Sequence, residues 1–457
     1  MRPLTVGLVL TITLIAFSAL AVETILPIVS DDLGGVSLYG WVFSAFFLAS
    51  LASVIVAGGV ADQRGTLLPY AAGLSLFVIG LAIAGAAPTM PVLVAGRVVQ
   101  GAGSGAILAS TYASIARGYR EAERPRIFAI ISTAWVLPAI VGPAAAAFIA
   151  TAFGWRTVFF SVLPFAVLAA ALAIPALRRL GPPAAQGERA SRRDAVFVAI
   201  GGGLLLAGLS SSILPLAVVL LATGGAVGLP ALRRVTPAGT LTGRTGLGAA
   251  VLVRGLLTFA FFGTEAFLPL MLREARGLSP TLAGIVLTTG GVTWTTGSWV
   301  HERLAPRLTS RTIITTSFLL VAIGAGGVLA VLLFPVPVEL AYLAWATSGA
   351  GIGFGYAAIS VLVLRLAPAD RAGSTSAAMQ VLDNLGTALG TGAGGVTVAI
   401  AVARGLSVET GIAAAFGVAI VGGLIGLAVS RRLDASRPSV VTESGPIELG
   451  PLGEPSR

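Results

Sequence analysis

Apolar runs of about twenty residues, separated by short polar stretches, follow one another along the whole chain. A helix needs about 20 apolar residues to cross a bilayer, and these runs lack the alternation of barrel strands. The pattern therefore predicts an all-α polytopic membrane protein. The predicted spans are residues 4–28, 39–61, 67–86, 91–115, 127–151, 158–176, 195–209, 213–229, 247–272, 282–300, 312–334, 339–366, 374–402 and 410–430.

The spans group into four regions. Residues 1–177 hold six spans, residues 178–244 hold polar linkers and two short spans, and residues 245–430 hold six more. A Pro-, Gly- and Ser-containing tail, 431–457, is predicted to be a disordered cytoplasmic segment. The two short runs of the middle region predict thin spans. A hairpin on the membrane surface is the alternative, and it leaves the topology unchanged.

Short motifs recur in the same order in the two groups of six spans. Glu-x-x-x-Pro begins at Glu23 in the first span and at Glu265 in the ninth. Gly-x-Gly-x-Gly begins at Gly101 in the fourth span and at Gly349 in the twelfth. The repeat predicts two pseudo-symmetric six-helix bundles joined by a two-helix insertion, with a substrate path at the midplane between them.

Composition agrees with a membrane protein and excludes several kinds of site. The chain is 56% hydrophobic and 11% charged, whereas a soluble domain has about 25% charged residues. It has no cysteine and one histidine, so we expect no thiolate or histidine metal site and no cofactor. The sequence contains no Gly-x-x-x-x-Gly-Lys-Ser/Thr phosphate loop, which argues against ATP-driven transport. It also offers no nucleophile–histidine pair, so we do not expect an enzyme.

The basic residues are distributed unequally between the two sides of the predicted spans. All 29 basic residues are arginine, and the net charge is +10. Of these arginines, 23 lie on the side shared by the chain ends, 4 on the opposite side and 2 within spans. The positive-inside rule then places both termini in the cytoplasm of a multi-pass cell-membrane protein. This distribution accounts for the net charge without a nucleic-acid partner.

A polar stripe crosses the otherwise apolar fourth span. Gln100 and Ser104 follow Arg97 at helical spacing, beside Gly101-x-x-x-Gly105. An arginine at bilayer depth is costly and usually faces a protein interior or a watery cavity. We therefore predict a functional role for Arg97, and we predict that Gln100 and Ser104 line the substrate path. A satisfied arginine in a plain bundle helix is the alternative.

Three acids and a second arginine also lie within spans. Burial disfavours the charged form of a carboxyl group, whereas a nearby arginine favours it. A group held between these effects can accept a proton on one side and release it on the other. Arg254 and Glu265 share a helix face but lie ~16 Å apart along the axis, so we do not expect a direct pair. The proton-coupling candidates are Glu23, Arg97, Arg254, Glu265 and Asp383; a structural ion pair is the alternative for each acid.

Further polar and aromatic residues are candidates for lining a substrate path. Gln380 and Asn384 share a helical stripe with Asp383, and Trp345 occupies the position in the twelfth span that matches Arg97. Tyr356 adds a second aromatic ring on that span. Aromatic walls with few polar groups suit an amphiphilic organic ligand. Ordinary packing is the alternative for the aromatic residues.

Two further motifs are candidates for a conformational switch. Gly58, Asp62, Arg64 and Gly65 lie where the second span ends. A carboxylate there can cap a neighbouring helix or pair with an arginine in one state and lose that contact in the other. In the fifth span, Gly142-Pro143 frees a backbone carbonyl and bends the helix; a passive bend is the alternative.

These motifs together resemble the major facilitator superfamily, and the fourteen spans resemble its fourteen-helix drug:proton antiporter group. The segment 58–65 is similar to the family's motif between helices 2 and 3, although Gln63 and Thr66 replace basic residues. The stretch that begins at Arg97 resembles the helix 4 motif associated with proton coupling. Gly142-Pro143 resembles the antiporter motif, with alanine at 146 and 147 in place of paired glycines.

The resemblance implies a function and its partners. It implies a secondary transporter with the major facilitator fold that exports small amphiphilic organic molecules by proton antiport and alternating access. We expect a monomer in membrane lipid. Three acids against two arginines within the spans favour cationic or neutral lipophilic substrates. A facilitator or symporter for a nutrient such as a sugar or organic acid is the alternative, and a membrane enzyme or scaffold is a third possibility.

Overall fold

The computed structural model describes residues 2–120, 123, 127, 130–131, 133–181, 192–211, 213–368 and 372–433. Most of the predicted tail, from residue 434, lies outside the described residues. Within them the chain forms fourteen long helical units. Their bounds are α1 Arg2–Leu33, α2 Tyr39–Arg64, α3 Leu67–Gly85, α4 Met90–Gly118, α5 Val136–Phe153, α6 Trp155–Ser161 with Leu163–Arg178, α7 Arg192–Ser210, α8 Leu214–Val235, α9 Leu247–Glu265 with Leu268–Glu274, α10 Pro280–Leu304, α11 Ser310–Leu333, α12 Leu340–Leu366, α13 Ala372–Ala403 and α14 Val408–Ser430.

The helices confirm the predicted all-α membrane architecture. Thirteen of the fourteen units in the described chain are long and apolar enough to cross a membrane. The exception is α10, which has 25 residues but carries several threonines and ends in charged residues. It packs against α12 and α5 within the bundle, and a crossing there is needed to connect α9 to α11. The middle helices have 19 and 22 residues, so both are longer than the predicted thin spans.

Some boundaries differ from the sequence prediction because of local backbone chemistry. A turn at residues 134–135 interrupts the predicted span 127–151: the described residues before it, 127, 130–131 and 133, are helical, and α5 runs from Val136. Helix α6 is interrupted at Val162 and α9 at Ala266 and Phe267. A proline follows each interruption by two residues. Because proline has no backbone N–H to donate to the preceding turn, each long crossing divides into two helical segments.

The two six-helix halves repeat the same packing. In the first half, α1–α6, helix α4 packs on α2 and α3; in the second half, α9–α14, helix α12 packs on α10 and α11. A Cβ atom on Gly101 would meet the carbonyl oxygen of Phe46, and one on Gly353 would meet that of Trp294. The repeated glycines therefore allow the backbones to approach closely, as the sequence predicted.

The middle pair, α7 and α8, lies beside the boundary between the halves. Helix α7 packs against α2 of the first half and α13 of the second, and α8 packs on α7. The two helices approach most closely at Gly201 and Gly228. Asp194 and Arg234 join them through an ion pair of 3.0 Å. The pair therefore covers one side of the seam formed by α2 and α13.

The halves meet mainly toward one face of the bundle. We call the face where α1 begins the terminal face and the face where α1 ends the distal face. Gly40 of α2 lies against the backbone of Gly395 of α13. One helical turn further from the distal face, the hydroxyl oxygens of Ser44 and Thr391 are 3.2 Å apart. Nearer the terminal face, a Cβ atom on Gly58 would have nothing within 4 Å. The seam between α2 and α13 is therefore closed at its distal end.

Candidate functional site

Arg97 is a buried cation held by neutral groups. Its side chain is 1% exposed. The Nε atom donates to the carbonyl oxygen of Val42 at 3.1 Å, and Nη1 donates to Oε1 of Gln100 at 2.6 Å. The guanidinium carbon lies 4.2 Å from the ring centroid of Phe46. Within the described chain no carboxylate lies in ion-pair distance of Arg97, so its charge is available to a group that changes charge nearby.

Glu23 is the carboxylate on which Arg97 acts electrostatically. Glu23 lies on α1 and Glu265 lies at the end of the first segment of α9, so each half contributes one acid. Both side chains are 6% exposed, and they are close enough for their charges to interact. One carboxyl oxygen of each, Oε2, is buried without a hydrogen-bond partner among the described residues. The structure thus brings together two of the three predicted acids.

The third acid, Asp383, pairs with Arg254. Nε of Arg254 donates to Oδ1 of Asp383 at 2.8 Å, and the hydroxyl of Tyr356 donates to Oδ2 at 2.9 Å. Nη1 of Arg254 also donates to the carbonyl oxygen of Tyr356 at 2.8 Å and to the hydroxyl of Ser360 at 3.2 Å. Both ionised groups of this pair are therefore satisfied by the second half alone. The expected absence of a direct bond between Arg254 and Glu265 agrees with this arrangement.

A line of aromatic rings runs between the two buried arginines. We call it the aromatic chain; neighbouring ring centroids along it are 5.3, 6.4, 6.2 and 5.4 Å apart. Its step from Phe47 to Phe262 passes from the first half to the second. Arg97 lies over its first ring, and the guanidinium of Arg254 lies 3.0 Å from the centroid of its last. Its members in order are Phe46, Phe47, Phe262, Trp294 and Tyr356.

The residues predicted to line a substrate path fall into two groups. Gln100, Ser104 and Trp345 are buried within the packing of their own halves. Trp345 stacks on Phe261, with ring centroids 4.8 Å apart and an interplanar angle of 25°. Tyr356, Gln380 and Asn384 surround Asp383, and Nε2 of Gln380 donates to its Oδ2 at 3.4 Å. The second group lies nearer to accessible space, and the lining role of both groups stays a prediction.

The proposed switch motif lies at the terminal end of α2. The helix ends before Gly65, whose φ of 86° is a backbone conformation that favours glycine. Asp62 and Arg64 are exposed, and Asp62 has no ion-pair partner in the described part of the chain. Its predicted role as a contact made in only one transport state is therefore compatible with this conformation and stays a prediction.

Pro143 lies at the interface between α5 of the first half and α10 of the second. Because proline has no backbone N–H, Pro143 cannot donate the usual helical hydrogen bond to the carbonyl oxygen of Ala139, four residues earlier. A Cβ atom on Gly291 would lie 2.9 Å from the carbonyl oxygen of Ala139, and one on Gly284 would lie 3.1 Å from that of Pro143. Gly142 is less confined, with its nearest neighbour atom 3.6 Å away, on Phe17. The Gly142-Pro143 motif thus belongs to a contact surface between the halves.

Several residues of this region were not identified from the sequence. Tyr39 is fully buried, its hydroxyl has no partner among the described residues, and its ring lies 5.4 Å from that of Phe267. At the distal face, Asp31 and Arg273 form an ion pair between the halves. The double aromatics Phe46-Phe47 and Phe261-Phe262, one in each half, were a signal for the aromatic chain that the sequence already contained.

Comparison with known proteins places this arrangement among membrane transporters. The family model of the Major Facilitator Superfamily matches residues 8–391. The chain is similar to a methylenomycin A resistance protein of Streptomyces coelicolor, with 28% identity over 62% of this chain and 61% of the relative. It is also similar to the multidrug efflux pump SdrM of Staphylococcus aureus, with 25% identity over 70% and 73%.

Other relatives are longer or share only the fold. The efflux pump FUS6 of Gibberella moniliformis is 28% identical over 62% of this chain, and the match spans 53% of that pump. The chain therefore spans only about half to three-fifths of the first relatives it matches. Among solved structures, an auto-inhibited peptide transporter of the POT family superposes with a TM-score of 0.69 over 96% of this chain and 98% of that one. At 15% identity this match shows a shared fold.

Proposed function

Because the chain belongs to the major facilitator superfamily, we propose that it exports small amphiphilic organic molecules in exchange for protons by alternating access. The family assignment confirms the predicted resemblance and with it a transporter instead of an enzyme. Relatives named as efflux and multidrug efflux pumps favour export over uptake. The substrate, the coupling ion and the mechanism are our proposal for this chain.

The observation that carries the proton-coupling proposal is the position of Glu23 and Glu265 between the halves. Each acid comes from a different half and is buried, and each has one carboxyl oxygen without a partner in the part of the chain that the structure describes. A charged carboxylate in such a place is costly unless it is paired, so it binds a proton or a cationic group readily. Arg97 does not lose its own proton and acts on Glu23 through its fixed charge.

The second group of candidates, Arg254 with Asp383, supports the same function differently. Its ion pair is intact in this conformation. A substrate or a proton that reaches Asp383 would compete with Arg254, and the aromatic chain offers apolar surface for the rest of an amphiphilic substrate. A cationic or neutral lipophilic substrate fits this combination of acids and rings best.

The transport cycle that we propose uses the contacts between the halves. The distal contacts described above would open and the region around Gly58 and Asp62 would close when the transporter turns over. We place the terminal face in the cytoplasm of the cell membrane because most arginines lie on that side. Bending at Gly142-Pro143 would let α5 follow α10 during this motion.

The experiment that tests the proposed function measures transport in everted membrane vesicles. Vesicles with and without the protein are given a proton gradient and exposed to a panel of cationic, neutral and anionic compounds. We expect uptake of cationic or neutral amphiphiles that collapses when an ionophore dissipates the gradient. Transport of a sugar or an organic acid down its own gradient, with no response to the ionophore, would favour the nutrient facilitator instead.

A further inference from the structure

We propose that Glu23 and Glu265 form one proton-binding site divided between the two halves, and that its charge sets whether the distal face is closed. This inference rests on the proposed function, proton-coupled antiport. It goes further by assigning the proton to a particular pair and by linking that pair to a gate.

The two acids occupy equivalent positions in the repeated halves. Each begins a Glu-x-x-x-Pro sequence, at Glu23 on α1 and at Glu265 on α9. The pseudo-symmetry of the halves therefore brings the two carboxyl groups to the same boundary, where their charges interact. Neither half contains the complete pair, so any change in the separation of the halves also changes the pair.

Three buried polar atoms that have no hydrogen-bond partner among the described residues belong to this site. They are Oε2 of Glu23, Oε2 of Glu265 and the hydroxyl oxygen of Tyr39. Tyr39 lies near enough to Glu23 for an electrostatic interaction. Buried polar groups are normally hydrogen-bonded. Three unpartnered groups whose charges interact are what we expect of a site that gains and loses a proton between its carboxyl groups.

The charge on the pair determines the force between the halves. With both carboxyl groups ionised, like charges repel between two side chains that are buried, where the effective dielectric constant is lower than in water. One added proton turns one group into an O–H donor for the other, and the repulsion becomes a charge-assisted hydrogen bond. The reaction needs only the proton that the proposed antiport supplies.

The pair lies next to the contacts that close the distal face. Glu265 precedes Phe267 by two residues, and the ring of Phe267 packs on Tyr39 of the other half. Further out on the same helices, α1 and α9, Asp31 and Arg273 form the ion pair between the halves. Repulsion between Glu23 and Glu265 would therefore act directly on the closed distal contacts.

The charged and titratable neighbours do not cancel this effect. Arg97 on α4 acts on Glu23 and balances one ionised carboxylate, so the second ionisation produces the repulsion. Helix α5, which packs on α1, has no titratable residue. Three of the remaining arginines are engaged in ion pairs: Arg156 of α6 with Asp32 of α1, Arg254 of α9 with Asp383 of α13, and Arg273 of α9 with Asp31 of α1. The other charged groups lie toward the helix ends: Arg117, Arg178, His301, Glu302, Arg303, Arg311 and Arg365 toward the terminal face, and Glu274 and Glu409 toward the distal face. The remaining tyrosines on these helices are Tyr112, Tyr342 and Tyr356.

The sign of the effect agrees with export by antiport. A proton that arrives from the distal side removes the second negative charge of the pair and closes the distal face. Its loss toward the terminal side, in exchange for substrate, restores the second negative charge and opens the distal face. One site would thus bind the coupling ion and control the gate.

The test measures the separation of the halves at the distal face without substrate. The chain has no cysteine, so Ser37→Cys in the α1–α2 link and Leu406→Cys in the α13–α14 link provide two exposed label sites. Pulsed electron paramagnetic resonance in nanodiscs, from acidic to alkaline pH, then gives the distance between the labels. We expect a short distance at low pH and a growing population of longer distances as pH rises.

Substitution of the glutamates provides the decisive comparison. The Glu23→Gln/Glu265→Gln variant should keep the short distance at every pH, because glutamine cannot ionise. Each single variant should lose most of the response, because one remaining carboxylate has no like charge to repel. Glu339→Gln, an exposed acid on the same face, should respond like the unsubstituted chain. This control uses the same chemical change outside the pair.

Two results would overturn the inference. One is a distance in the unsubstituted chain that does not respond to pH, and the other is a double variant that still responds fully. Gradient-driven export with a gate that is indifferent to both glutamates would contradict the inference and leave the proposed function intact. A gate that responds to pH in a protein that shows no gradient-driven export would contradict the proposed function.

Discussion

Arg254 and Asp383 form an ion pair between α9 and α13, with 2.8 Å between Nε and Oδ1. The two residues are 129 positions apart, and the side chain of Arg254 is 4% exposed. Tyr356 completes the group, because its hydroxyl donates to Asp383 while its ring lies against the guanidinium of Arg254. This cluster ties α9, α12 and α13 into one unit within the second half.

The pairing of Arg254 with Asp383 predicts a non-additive effect on stability. Asp383→Asn leaves Arg254 without an ionised partner, and loss of one member of a buried pair costs about 3–5 kcal/mol. We expect a lower Tm in detergent for this variant and for Arg254→Met. The double variant should lose less than the sum of the two, because neither buried charge remains. Strict additivity would mean that the two side chains do not interact in the folded protein.

The glycine seam of α4 predicts a second stability difference. A methyl group at Gly101 or Gly105 would meet the carbonyl oxygen of Phe46 or Ser50, so Gly101→Ala and Gly105→Ala must separate α4 from α2. We expect a loss of about 1–3 kcal/mol from overpacking. Gly326→Ala on α11 is the matched control, because its Cβ atom would have nothing within 4 Å. Equal Tm values for all three variants would contradict the close contact.

The sequence predicted the helical architecture well because burial in a membrane has a strong compositional signature. It also predicted the repeat, and the glycines of α4 and α12 confirm it. The turn at residues 134–135, within the span 127–151, was not predicted, since apolar residues continue through it. The partner of Arg254 could not be read from the sequence, because helical periodicity relates residues on one helix only. Asp383 comes from another helix, and its approach depends on how α9 and α13 pack.

The position of Asp62 predicts a kinetic effect without a stability effect. Asp62 is exposed and has no ion-pair partner in the described residues, so Asp62→Asn should leave Tm and membrane insertion unchanged. If the carboxylate forms a contact only in the other transport state, turnover should fall about tenfold, the effect of losing about 1.4 kcal/mol in that state. Initial export rates at matched protein levels measure this. Unchanged rates would mean that Asp62 is only a solvated residue at the end of the helix.

The arginine distribution predicts the orientation of the protein in the membrane. With fourteen crossings, both chain ends lie on one side, and the positive-inside rule makes that side cytoplasmic. A reporter that is active only in the cytoplasm should be active after Arg457 and inactive at Gly35. Activity at Gly35 alone would reverse the orientation, and activity at both positions would contradict the count of crossings between them.

The most direct test of proton-coupled export compares two transport modes in the glutamate variants. Export against a substrate gradient requires a cycle of proton binding and release, whereas exchange of labelled for unlabelled substrate at equal pH requires no net proton movement. In vesicles, Glu23→Gln and Glu265→Gln should lose gradient-driven export while at least one retains exchange. Arg97→Ala should impair export. Arg97→Lys should export better than Arg97→Ala but less well than the unsubstituted chain, because lysine lacks the planar guanidinium group with its several N–H donors. Wild-type export against a gradient in both glutamine variants and in Arg97→Ala would contradict proton coupling through this site.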